Sequence, residues 1–165
     1  MKALQFAVRL ETGIRKELEE LSFGVLPELK PVLELVCKYQ VEFERLLELA
    51  CDLEGENGKY PDIESSLLLG SDTNWQTAQR LFLEVHDKPI TDLTKLWRLY
   101  SLVENSRQYY QQASQNSPYP QTRLFFSSLA QSKNMLRRRI DGVLRGMYNE
   151  VWSSVGFAPF LLGKD

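Results

Sequence analysis

Four ionisable residues, Glu11, Glu42, Glu104 and Lys133, stand where helical periodicity calls for apolar side chains. In the stretch SSLAQSKNMLRRRIDGVLRGM, Leu129, Leu136, Ile140, Val143 and Met147 share one helical face, and Lys133 lies on it one turn after Leu129. The other three stripes read Leu4, Ala7, Glu11, Ile14, Leu18, Leu21; then Val32, Leu35, Tyr39, Glu42, Leu46, Leu49; then Leu93, Trp97, Tyr100, Glu104, Arg107, Tyr110. Each carries a glutamate near its middle. Burying one unpaired charge costs several kcal/mol. Three carboxylates and an ammonium at comparable depth therefore predict a charge-balanced cluster between helices, with Arg107 as a second cation. The competing reading lets each glutamate reach the rim on its aliphatic stem.

Little else in the chain suggests chemistry. His86 is the only histidine, so a Ser-His or Cys-His nucleophile pair would have to use it, and its surroundings read as an ordinary surface or rim position. No Gly-rich phosphate loop, Gly-x-Ser-x-Gly elbow or His-Glu-x-x-His sequence occurs. The run Arg137-Arg138-Arg139 reads as a solvated helix face rather than a phosphate patch, and a net charge of −2 gives no pull toward nucleic acid. No stretch approaches the ~20 apolar residues that cross a bilayer, and Arg9 and Glu11 interrupt any N-terminal leader. Cys37 and Cys51 fall in one helical pattern, ~21 Å apart along its axis, which predicts two thiols in a reducing cytoplasm rather than a disulfide.

The elements that must position these residues are helical. Alternating β-branched runs are absent, so the Asn57-Gly58 pair has no strand-like runs to join, while 3.6-residue patterns are nearly continuous. Four long helices are expected over about Leu4–Leu21, Pro27–Leu53, Thr91–Ser114 and Gln121–Val151. The first stops at Gly24, and Pro27 and Pro31 are tolerable only in the second helix's first turns. EGENGKYPDIESS reads as an irregular loop, and DTNWQTAQRLFLEVHD as a short extra helix capped by Asp72 or Thr73. The short links make helices one and two, and three and four, antiparallel hairpins, and the long middle segment crosses between them. The expectation is one all-α domain over residues 1–165, an antiparallel four-helix bundle with one long crossover. The hairpins also look weakly duplicated: Glu11 precedes Tyr39 by 28 residues and Glu104 precedes Lys133 by 29.

This pattern resembles the ferritin-like superfamily, most closely the rubrerythrin type of bundle. There the first and third helices each bring a glutamate in a segment like A-x-x-x-E-x-x-x-x-x-Y. Ala7 and Glu11 match the first; Glu104 and Tyr110 match the other, with Tyr100 in place of the alanine. FSSLA, Phe126 to Ala130, matches the F-x-x-L-A that leads into the fourth helix's Glu-x-x-His. Counted from these anchors, the two Glu-x-x-His positions fall on Tyr39 and Glu42 and on Lys133 and Leu136.

The resemblance thus implies a former metal site at Glu11, Tyr39, Glu42, Glu104, Lys133 and Leu136. A paired iron site of this kind takes about four carboxylates and two imidazoles. Here the positions supply three carboxylates, no imidazole and an ammonium. It implies a non-enzymatic bundle with no cofactor and a structural or interaction role, Lys133 neutralising the glutamates left behind. Two alternatives stand: a reduced site for iron or another divalent metal on Glu11, Glu42 and Glu104, with Tyr39, and a small-ligand pocket between the hairpins. Paired Cys-x-x-Cys motifs are missing, so no second iron module is implied. Ferritin-like bundles often pair through helix faces. Phe125, Phe126, Trp152 and the C-terminal tail are the apolar surplus expected to serve a homodimer, and the tail's Phe157, Phe160, Leu161 and Leu162 are otherwise expected to fold back over the bundle end.

Overall fold

A computed structural model describes residues 2–57, 59–84 and 90–154. Its helices are α1 (Lys2–Leu21), α2 (Lys30–Asn57), α3 (Ser65–Leu69), α4 (Asp72–Leu83), α5 (Ile90–Asn116) and α6 (Pro120–Ser154), with no strand among the described residues. The fold is all-α. None of these helices is long and apolar enough to cross a membrane.

Local chemistry sets most of the helix ends. α1 stops where Gly24 takes φ +70°, a left-handed conformation that costs a glycine little. The turn after it delays α2 to Lys30, past the expected start at Pro27, because the Leu29 and Lys30 amides bond to Leu26 and Pro27 three residues back. Pro120 opens α6, where its missing N–H is no loss. The cap of α4 is Ser71, whose hydroxyl accepts the Asn74 amide at 3.2 Å, rather than Asp72 or Thr73. The end of the expected loop forms the one-turn α3, which sends Leu68 and Leu69 into the core.

Helix directions follow from which residues meet. Gln5 and Val8 near the start of α1 lie beside Cys51 and Asp52 near the end of α2. On α5, Tyr109 donates to the Ala3 carbonyl at 2.8 Å while Arg98 pairs with Glu17. Both neighbours therefore run opposite to α1, so α2 and α5 are parallel to each other. α6 turns back along α5, with Ser114 bonded to the Arg123 carbonyl and Arg137 to Tyr100. The connection between α2 and α5 must then return along the length of the molecule, and α4 does so. It runs parallel to α6, with Asp72 against Arg139, Gln79 on the Gly142 carbonyl, and Leu83 over Gly146.

Two of the four expected stripes face inward as written. Leu4, Ala7, Glu11, Ile14, Leu18 and Leu21 are all buried, as are Leu129, Lys133, Leu136, Ile140, Val143 and Met147. The other two are shifted. α2 buries Val32, Val36, Tyr39, Gln40, Phe43, Leu47 and Ala50, leaving Glu42 and Leu49 outside. α5 buries Leu96, Leu99, Val103, Ser106 and Tyr110, leaving Trp97 45% exposed. Both helices have apolar residues on two adjacent faces, so periodicity alone does not choose between them. At mid-bundle the faces that win carry neutral Gln40 and Ser106 in place of Glu42 and Glu104, and an uncharged polar group costs far less to bury; the buried Asp92 at the start of the α5 face accepts the Leu26 amide at 3.1 Å. Phe125 and Phe126 are core residues, 4% and 1% exposed, so they cannot serve the expected homodimer contact. The side chain of Trp152, the tail from residue 155 and His86 lie outside the described residues.

The shifted register has a direct check. Leu99→Ala is expected to destabilise the protein by about 2–5 kcal/mol, as a core truncation does. Trp97→Ala should cost under about 1 kcal/mol, because that indole is half in water. Urea denaturation of the two variants distinguishes the faces, and a larger loss at Trp97 would reject this packing.

Candidate functional site

The carboxylate of Glu11 is the centre of a buried polar network to which all four long helices contribute. Glu11 comes from α1. From α2, Gln40 Nε2 donates to Glu11 Oε2 at 2.7 Å and to the Glu11 carbonyl at 3.1 Å. From α5, Ser106 and Tyr110 hydroxyls donate to Oε1 at 2.6 and 2.7 Å. From α6, Lys133 Nζ reaches Oε2 at 2.7 Å. Both side chains of that ion pair are 0% exposed. Four donors, two on each oxygen, match the acceptor capacity of a carboxylate.

Lys133 is equally surrounded. Beyond Glu11 its ammonium donates to Gln40 Oε1 at 3.3 Å, and it lies 4.2 Å from the Phe43 ring centre and 5.3 Å from that of Tyr39. These ring faces attract a cation that has left water. Tyr39 in turn shares a 2.8 Å hydrogen bond with Ser132. Stacked and tilted contacts among Tyr39, Phe43, Tyr110 and Phe126 close the space around the pair.

Burial raises the Glu11 carboxyl, but the Lys133 charge and hydrogen bonds from Lys133, Ser106 and Gln40 outweigh it and hold the group below its ordinary value. Burial also pulls Lys133 below an ordinary lysine, only partly offset by Glu11. The two partners differ because four donors converge on the anion, whereas the cation has only the Glu11 carboxylate in contact and a weaker pull from Glu44. Tyr39 and Tyr110 are pushed well up by burial and act as neutral phenols.

The structure brings together Glu11, Tyr39, Lys133 and Leu136 from the six expected positions, and leaves two outside. Glu42 has a side chain 46% exposed and pairs with Arg45 at 3.1 Å. Glu104 sits at the rim, bonded to Arg107 at 2.7 Å and near Arg137 at 3.4 Å. Hydrogen bonding from Arg107, against some burial, holds its carboxyl at about 2. Arg107 thus serves Glu104 at the surface and not the central pair. Gln40 and Ser106, absent from the sequence reading, take the two inward places. Their signal was present: Val36, Gln40, Phe43, Leu47 and Val103, Ser106, Tyr110 are equally good helical stripes.

This donor set does not fit a metal pair. The central network has one carboxylate, its lone pairs already taken, and an ammonium at 2.7 Å where a dication would have to stand. Because Glu42 and Glu104 point elsewhere, the three-carboxylate site on Glu11, Glu42 and Glu104 is not assembled. No group of three or more His, Cys, Asp or Glu able to hold a metal exists among the described residues. The pair and its aromatic shell lie between the hairpins, and the grooves lined by Tyr60 and Phe125, by Val41 and Leu68, and by Val8 and Asp52 are open at the surface. Comparison with protein-family models, curated proteins and solved structures finds no match for the chain.

Lys133→Met is expected to cost about 3–5 kcal/mol near neutral pH, since it strands a buried anion. The cost should shrink in acid, and the sign follows from Glu11. In the natural protein the folded carboxyl holds its proton less tightly than the unfolded one, so its contribution is lost as pH falls through the lowered folded value. In the variant burial dominates, the folded carboxyl binds a proton more tightly than the unfolded one, and acid restores stability. Adding Glu11→Gln to Lys133→Met should recover part of the loss at neutral pH. Urea titrations across the acid range test this, and a cost independent of pH would reject the charged pair.

Proposed function

We propose that this chain is a ferritin-like bundle of the rubrerythrin type in which an internal ion pair stands where the family holds its metals. It works as a structural or interaction protein without metal chemistry. The observation that carries the reading is the buried contact of Lys133 with Glu11, at the level where all four long helices meet. An ammonium supplies there the positive charge that a bundle with inward glutamates otherwise takes from bound cations. Parallel α2 and α5, joined by a connection that retraces the bundle, are consistent with the same architecture. A reducing cytoplasm suits Cys37 and Cys51, both half-buried thiols.

Metal analysis of protein purified without chelator, then incubated with iron(II), manganese or zinc, is the deciding experiment. Substoichiometric metal is expected. One or more ions per chain, lost together with Glu11→Ala, would overturn the proposal.

A second variant tests the relation to a former cation site. Lys133→Glu places a second carboxylate beside Glu11 and should be less stable than Lys133→Met in the presence of chelator, because two buried anions repel. A divalent cation should recover part of that loss in Lys133→Glu and leave the natural protein's melting temperature unchanged. Equal response of both proteins would count against the substitution of one cation for another.

A further inference from the structure

The outermost face of α2 has a property that the core packing does not require. It carries Lys38, Val41, Arg45, Leu49 and Asp52, spaced by three, four, four and three residues and all exposed. Val41 and Leu49, at 48% and 45%, are the exposed large hydrophobics of this helix. The stripe is a palindrome in chemistry as well as spacing. Positions equidistant from Arg45 are Val41 and Leu49, both apolar, and Lys38 and Asp52, of opposite charge. Glu42 and Glu48, also equidistant, flank the arginine, and Glu42 already pairs with it at 3.1 Å.

An antiparallel copy of the same helix, related by a two-fold axis at Arg45, would therefore meet this face with complementary groups. Val41 would meet the second copy's Leu49, and Lys38 its Asp52, and each contact would occur twice, as an isologous interface demands. The two arginines near the axis would be screened by four surrounding glutamates, two from each copy. A parallel copy would set Lys38 and Asp52 each opposite its own like charge, and an antiparallel copy shifted by a turn would lose the apolar match. Grooves run along both sides of the ridge, one lined by Val41, Leu68 and Leu69 and the other by Val8, Glu48 and Asp52. Ridges of a second helix fit such grooves.

We infer that the α2 face is a self-association surface, and that its occupant is a second copy of this chain in antiparallel register about Arg45. The stripe spans ~21 Å of helix, a small patch, so the dimer is a weak one that forms at micromolar or higher concentration. This assignment is independent of any metal history of the interior.

Sedimentation equilibrium of the full chain, over two orders of magnitude in concentration centred on tens of micromolar, is expected to show a monomer–dimer equilibrium. Val41→Asp should abolish the dimer. Lys38→Glu and Asp52→Lys should each weaken it about tenfold, because every altered contact is present twice. The combined charge swap should return the dissociation constant to within about threefold of the natural value, as coupled partners do. Circular dichroism of each variant confirms the helical fold, which these exposed positions do not support. A monomer at every concentration, a dimer indifferent to Val41→Asp, or a charge swap that fails to restore association would each overturn the inference.

Discussion

A carboxylate and an ammonium removed together from water are tolerable only where their other polar groups also find partners, and side chains from all four long helices supply them: four donors fill the Glu11 carboxylate, and Lys133 has Glu11, Gln40 and the ring faces of Phe43 and Tyr39. The consequence is geometric. Gln40, Ser106, Tyr110 and Lys133 must arrive at one level for the network to close, so sliding any helix by one turn would leave a buried charge short of a partner. Apolar packing above and below this level is compatible with several axial offsets. The polar network accepts one. Its role is therefore specificity of register more than net stability, since a buried ion pair often adds little over an apolar core of equal volume.

That constraint also accounts for the surface. At the level of the central network a single ammonium compensates a single carboxylate, while the other buried carboxylate among the described residues, Asp92 at the start of α5, accepts the Leu26 amide at 3.1 Å. Glu42 and Glu104 sit one position away from inward-facing sites and are turned out to Arg45, and to Arg107 and Arg137. The apolar residues that share their faces, among them Trp97 and Leu49, are carried outward with them. Part of the exposed apolar surface of α2 and α5 is thus the counterpart of a charge decision made in the core.

The connection between α2 and α5 has a matching structural task. Parallel α2 and α5 oblige the chain to travel back along the molecule, and α4 does this against α6. Trp75 anchors it, donating its indole N–H to the Leu69 carbonyl at 2.5 Å. Gly146 permits the close approach at the other end: a Cβ there would come within 2.5 Å of a Leu83 methyl. Gln79 on the Gly142 carbonyl fixes the level between them.

Much of this was legible in the residues. Periodicity and caps gave six-helix content to within one short turn, and the stripes of α1 and α6 were readable because each has a single apolar face. The inward positions of Lys133 and Glu11 followed from those two stripes, while the partner of Lys133 stayed open among Glu11, Glu42 and Glu104. For α2 and α5, two overlapping apolar faces satisfied the same period, and local propensity does not distinguish them. Only the assembled bundle decided the matter, because the level of Lys133 has one ammonium for one carboxylate and favoured the faces offering Gln40 and Ser106. The sequence by itself determined an all-helical chain with a charge at its centre. Which glutamate stays inside, and which neutral groups complete its shell, is a property of four helices meeting at one depth, and no single helix encodes it.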